Sequence, residues 1–381
     1  MDQQLFEQET PFFPTNINKS PNLKLALFET HHLYYWPNFR PIIDEIINSQ
    51  EYDVYVSMPR RNSTIEQKIL AKECDELSLK FITSDTESKR VDEIYNKDFD
   101  VIFVGNIGKL NDITNSKTLA VMVYHGIGLK QSYYNDISSR INIRAVESSA
   151  RLKELKNQGH QNLSLTGFTK LDRLFTIKTK TINSIRDNLE LKDKETILYA
   201  PSFYPSSIEK ISPQLPLLSQ YYNIIVKLHG FSWEQKRYKY QSLLFTKMAR
   251  EKKNIKLIPN DIFDIIPYYK IADILVSDIS STMFEYLPLN RPIIQAECYT
   301  LRLKHRIFLN RFWKRLDLKR LEDVDFAYKI SNPEDLFSRV YYALDNLDEM
   351  QIQREKACSY YLYKNDGKAS HRLIQAIKDY K

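Results

Sequence analysis

Short runs of apolar residues, each about one strand long, recur along the chain and alternate with stretches whose apolar positions return every three or four residues. In the first half these runs fall at 23–28, 52–57, 79–83, 100–105, 119–124, 142–146 and 162–166. Between them Phe39, Ile42, Ile43, Ile46 and Ile47 keep helical spacing, and 65–74, 86–96 and 148–158 have the same character. Regular alternation of strand and helix predicts an α/β fold, a parallel sheet with helices on both faces. Ligands of such sheets bind beyond the carboxyl ends of the strands.

A charged, polar stretch at 176–195 interrupts this pattern and is the expected domain junction. The pattern then restarts, with strand-like runs at 196–200, 223–228, 255–258, 274–276 and 292–294 and helical stretches at 233–252 and 264–271. Residues 1–22 lack periodicity and carry Pro11, Pro14 and Pro21, which predicts an irregular lead-in. The expected division is therefore 1–22, a first Rossmann-like domain over 23–180, and a second over 190–381.

Candidate chemistry gathers where the predicted strands end. The run at 119–124 leads into His125-Gly126-Ile127-Gly128-Leu129-Lys130, which puts a base next to a cation and backbone that tolerates close approach. The run at 223–228 ends in Lys227-Leu228-His229-Gly230. After 274–276 come Ser277, Asp278, Ser280 and Ser281, then a helix with Met283, Phe284 and Leu287 on its apolar side. Serine hydroxyls and free N–H groups at such a helix start suit a phosphate. Asp366-Gly367-Lys368-Ala369-Ser370 opens the last helix in a similar way. Each half thus has a histidine at a strand end, His125 and His229, expected to face one another across a cleft. Two Rossmann-like domains around such a cleft make the GT-B arrangement.

Composition narrows the possibilities. Among 381 residues 43% are hydrophobic and 27% charged, as in soluble globular proteins, and no apolar run nears the ~18 residues that cross a bilayer. The acidic, polar start gives no secretory signal, so a cytoplasmic location is expected. Cys74, Cys298 and Cys358 are too few and scattered for a zinc site or a disulfide framework, and no carboxylate cluster calls for a metal. The net charge of +7 suits a phosphate-rich ligand. Between Leu301 and Arg320 lie eight Lys or Arg residues, with Leu301, Phe308, Leu309, Phe312, Trp313 and Leu316 on one helical stripe. Such a stripe either packs into the core and leaves a solvated basic face, the favoured reading, or lies on an anionic membrane surface. The basic residues are not interleaved with a nucleic-acid-binding module, so no nucleic-acid partner is expected.

Six segments, in order, resemble the CDP-glycerol glycerophosphotransferase family, the teichoic-acid primases and polymerases of GT-B fold. They are His125-Gly126-x-x-Leu129-Lys130, Gly167-x-x-Lys170-x-Asp172-Arg173-Leu174, Ile197-Leu198-Tyr199-Ala200-Pro201, Lys227-Leu228-His229, Ser277-Asp278-x-Ser280-Ser281-x-x-Phe284-Glu285 and Asp366-Gly367-Lys368-Ala369-Ser370. The resemblance implies transfer of glycerol phosphate from CDP-glycerol to a hydroxyl of a lipid-linked or polymeric acceptor, with release of CMP and no cofactor. His125 would be the general base, as a group of ordinary pKa near ~6.5 can be. Lys227 and His229 would bind donor phosphate, Ser280 and Ser281 would cradle it, Glu285 would accept polyol or ribose hydroxyls, and Lys368 would add charge. The family's usual His-Gly-Thr-Pro is here His125-Gly126-Ile127-Gly128, its His-Pro is His229-Gly230, and a tyrosine before the serines is Ile279. These departures leave the donor alcohol open, with ribitol phosphate or another polyol phosphate as options. The competing expectations are a GT-B sugar transferase or UDP-sugar 2-epimerase, and a non-catalytic scaffold that binds membrane or polyanion.

Overall fold

The computed structural model describes residues 23–127, 138–314 and 318–380. Seven parallel strands form the first sheet: β1 (Lys24–Glu29), β2 (Tyr52–Ser57), β3 (Lys80–Ile82), β4 (Val101–Val104), β5 (Leu119–Val123), β6 (Ile143–Val146) and β7 (Leu163–Leu165). Their order is β3-β2-β1-β4-β5-β6-β7. The second sheet has six: β8 (Thr196–Tyr199), β9 (Asn223–Val226), β10 (Ile255–Leu257), β11 (Ile274–Ser277), β12 (Ile293–Ala296) and β13 (Tyr328–Ile330). Their order is β10-β9-β8-β11-β12-β13, again all parallel.

Central strands such as Val101–Val104 and Asn223–Val226 are buried throughout, because helices cover both faces of each sheet. One face of the first sheet carries Phe28, Trp36, Phe39 and Phe103, and the other carries Leu27, Ile102 and Met122. Continuous apolar runs are what such double coverage requires, which is why the strands were visible in the sequence.

Two parts of the chain depart from expectation. The helix Ala369–Lys378 does not stay with the second sheet: Leu373, Ile374 and Ile377 join the apolar cluster of the first. Asp172 holds its start through the N–H groups of Ala369 (2.9 Å) and Ser370 (2.7 Å), and Arg372 donates to the Thr166 carbonyl. The turn at Gly167 (φ +93°) packs so closely that a Cβ there would lie 2.8 Å from the Tyr363 carbonyl. The last helix is thus part of the first lobe, and the domain boundary drawn at 190–381 does not hold for it.

The basic segment is the second departure. It forms short helices, Leu303–Ile307, Leu309–Trp313 and Leu318–Glu322, rather than one. Leu301 and Trp313 pack against the core of the second lobe, whereas Leu303, Ile307, Phe308 and Leu309 are exposed. The favoured expectation of a buried stripe is therefore wrong for Phe308 and Leu309. The side chains of Phe312 and Leu316 lie outside the described residues.

Candidate active site

A cavity of about 470 Å³ lies between the lobes. It sits over both points where strand order reverses, between β1 and β4 in one sheet and between β8 and β11 in the other. Adjacent strand ends diverge at such points and leave a crevice. Loops after β1, β4, β5 and β7 supply most of the first lobe's wall, and loops after β8, β9, β10 and β11 supply most of the second's.

The first wall is aromatic. The His125 ring packs edge-on against Tyr35 (centroids 4.6 Å apart) and tilts over Tyr34 (4.7 Å). Tyr35 is fixed by its neighbours: its hydroxyl accepts from Asn106 Nδ2 (3.1 Å), and its ring takes the space a side chain at Gly105 would need, 1.9 Å from an added Cβ. Tyr34 also lies 6.1 Å from the His229 ring of the opposite lobe. One tyrosine ring therefore lies near both imidazoles.

The second wall is polar and rests on Asp278, which is fully buried. Its Oδ1 accepts the Ser202 N–H (2.7 Å), and its Oδ2 accepts the Ser207 N–H and hydroxyl (both 2.9 Å). Burial pushes this carboxyl up to about 6. These bonds tie the loop after β8 to the end of β11. His229 packs between Phe203 (4.8 Å) and Phe231 (5.0 Å), and its Nδ1 accepts the Phe231 N–H at 3.1 Å. With Nδ1 an acceptor, the proton of the neutral ring is on Nε2, which makes that nitrogen a donor.

Lys227 is half-buried in the same wall, and burial, reinforced by the positive charge of Lys170, lowers its pKa to about 8. Lys170 comes from the first lobe and reaches across to Glu285 Oε2 at 2.6 Å. Glu285 is almost wholly buried and also accepts from the Tyr269 hydroxyl and the Ser281 hydroxyl, each at 2.9 Å.

The structure brings most of the expected residues together: His125, Lys227, His229, Ser280, Ser281 and Glu285 all line the cavity. Four details differ. Ser280 Oγ accepts the Thr282 N–H (3.3 Å) and Ser281 donates to Glu285, so these hydroxyls have internal partners and precede a helix of only five residues, Thr282–Tyr286. Glu285, expected to await polyol or ribose hydroxyls, already holds three donors. Lys368 is exposed and not part of the lining, and the N–H groups beside it serve Asp172 instead of a phosphate. Gly126 is buried behind the lining, while Lys130 lies outside the described residues.

Sequence reasoning missed Tyr34, Tyr35 and Asn106, and gave Lys170 no role. An aromatic run, 31–36, directly after the first strand was the available signal. Of the departures from the family pattern, Gly128 lies outside the described residues. Ile127 and Ile279 both belong to one apolar cluster beneath the cleft. Gly230 has φ −51° and ψ −37°, a conformation that proline also adopts.

Residues 142–379 match the sequence model of a family described as CDP-Glycerol:Poly(glycerophosphate) glycerophosphotransferase. The chain belongs to this family. The glycerophosphotransferase model spans β6 to the last helix, and so includes Lys170, Asp172, the second sheet and the polar wall. Among curated proteins, the teichoic acid glycerol-phosphate primase of Bacillus subtilis (strain 168) is 35% identical over 129 residues. That match spans 32% of this chain and 29% of the primase, so the chain corresponds to less than a third of its relative's length. Among solved structures, the wall teichoic acid polymerase TagF aligns with a TM-score of 0.68 at 16% identity, over 94% of this chain and 90% of that one. A putative UDP-N-acetylglucosamine 2-epimerase from Listeria monocytogenes aligns with a TM-score of 0.61 at 15% identity, over 93% and 96%. At these identities the likeness is one of fold, and the fold is GT-B. Among the described residues no helix is long and apolar enough to cross a membrane.

Proposed function

We propose that this glycerophosphotransferase-family chain moves glycerol phosphate, or a similar polyol phosphate, from a CDP-activated donor to a hydroxyl of a lipid-linked or polymeric acceptor. The observation that carries this reading is the pairing of a basic, donor-rich wall with an imidazole on the opposite lobe, around one cavity. His125 takes the proton of the acceptor hydroxyl. The hydroxyl oxygen forms a bond to the distal phosphorus of the donor, the bond from that phosphorus to the bridging oxygen breaks, and CMP leaves with the electron pair. His229 Nε2–H and the Lys227 ammonium neutralise the phosphates, with Ser280 and Ser281 beside them. Charge stabilisation of this kind is the larger part of catalysis in phosphoryl transfer.

The acceptor is proposed to be presented at a membrane. Exposed Leu303, Ile307, Phe308 and Leu309, with exposed Lys304 and Arg306 among them, support contact with an anionic bilayer. Liposome co-sedimentation should fall for Lys304→Glu/Arg306→Glu, and equal sedimentation would remove this part.

Purified protein incubated separately with CDP-glycerol, CDP-ribitol and UDP-N-acetylglucosamine, each with a lipid-linked acceptor, should release CMP from one of the cytidine donors. Release of UDP instead, or of neither nucleotide, would contradict the reading.

A further inference from the structure

Among the described residues two lysines line the cleft, Lys170 and Lys227, and only Lys227 is used in the scheme above. Lys170 comes from the loop after β7, is held in place by the Gly167 turn on one side and by buried Asp172 on the other, and points its ammonium across the lobe boundary. Its partner Glu285 is 1% exposed and carries two further hydrogen bonds, from Tyr269 and Ser281. With those two hydroxyl donors left in place, both carboxylate oxygens stay hydrogen-bonded when the ammonium leaves, so the exchange gives up the ion pair but not the hydrogen bonding of the buried group. Lys227 lines the same cavity as Lys170, and its ammonium makes a long 3.4 Å hydrogen bond to the Leu228 carbonyl. Two like charges converging on a cavity, one of them clasped and one loosely held, are a site arranged for an anion of more than one charge.

We propose that Lys170 is a donor-diphosphate ligand held in reserve by Glu285: when the diphosphate enters, the ammonium exchanges the carboxylate for a phosphate oxygen. This rests on the reading of a CDP-linked donor and adds a residue from the first lobe to a phosphate site otherwise built by the second. Because Lys170 belongs to one lobe and Glu285 to the other, the exchange couples donor binding to the contact between lobes. No bond is made or broken covalently, and charge is conserved as the ammonium changes partners.

The test is calorimetric binding of CDP, CMP and cytidine to the full-length protein and its variants. Lys170→Gln should weaken CDP binding ~10-fold or more, the loss expected for one charge-assisted hydrogen bond, and leave cytidine binding unchanged. Lys170→Arg should recover most of the CDP affinity. Since Lys170→Gln alone leaves Glu285 with a weaker partner and could unsettle the fold, Lys170→Gln/Glu285→Gln removes both charges together and should show the same loss. If CDP affinity stays within about twofold of wild type in the double variant while His229→Ala weakens it, the role of Lys170 falls and the donor reading stands. If wild type binds none of the three cytidine compounds, the donor reading fails and takes this inference with it.

Discussion

The two walls of the cleft are built by different means. On the first lobe His125 is seated by rings: Tyr34, Tyr35 and, behind them, the space kept open at Gly105. On the second lobe hydrogen bonds carry more of the arrangement: the buried Asp278 carboxylate ties the loop after β8 to the end of β11, and the Phe231 N–H fixes the tautomer of His229, which packs between Phe203 and Phe231. Hydrogen bonds define direction, which a site for a highly charged, geometrically exacting diphosphate requires. Aromatic packing fixes the position of a ring by shape. The contrast supports the proposed division, with donor binding mainly at the second lobe, aided by Lys170, and proton removal at the first.

The largest effect should come from separating these two tasks. His125→Ala is expected to lower CMP formation ~10²-fold or more, the usual contribution of a general base. CDP affinity should stay near wild type. A parallel loss of CDP binding would mean that the first wall also holds the donor's phosphates. Next comes the scaffold of the second wall. In Asp278→Asn the amide turns an N–H₂ group toward backbone N–H donors, which should cost ~1–3 kcal/mol of stability in urea unfolding at neutral pH. An unchanged midpoint would show that the loop after β8 is not held by this carboxylate.

Lys227 gives a pH signature with a definite sign. Its ammonium is present below about 8 and is lost as pH rises through that value. Bound diphosphate favours the charged form, so CDP binding at pH 8 to 8.5 should take up protons, seen as buffer-dependent calorimetric heats, and should weaken at higher pH. Lys227→Gln should abolish the proton uptake and weaken CDP binding ~10-fold at pH 7. The smallest effect expected is at Tyr34. Tyr34→Phe keeps the ring and should retain near-full turnover, whereas Tyr34→Ala loses ring contacts worth ~0.5–1.5 kcal/mol each and should loosen both imidazoles. Identical behaviour of the two variants would show that the ring does not seat them.

Most of the scaffold could be read from the chain because doubly covered parallel strands leave continuous apolar runs, as at Val101–Val104 and Ile293–Ala296. Strand β13 was missed, since Tyr328–Ile330 is only three residues long and has an exposed lysine at its centre. The strand-end histidines were legible by position, because ligands of such sheets gather at carboxyl ends. What could not be read were pairings between distant segments. Nothing near Glu285 in the sequence signals that Lys170 will reach it, nor does Lys368 signal that Asp172 takes the N–H groups at its own helix start. Tyr34 gained its place because β1 lies at the reversal of strand order, a property of the sheet as a whole. The segment 301–320 has a helical period but breaks into short pieces, so that Phe308 and Leu309 face solvent.

The division of labour between the lobes is tested most directly by a crystal structure of the His125→Ala protein soaked with CDP-glycerol. The donor's diphosphate should lie within hydrogen-bonding distance of Lys227 and His229 Nε2, beside Ser280 and Ser281, with the space vacated by the imidazole open toward the distal phosphorus. A nucleotide whose phosphates rest against the aromatic wall of the first lobe, or outside the cleft altogether, would contradict it.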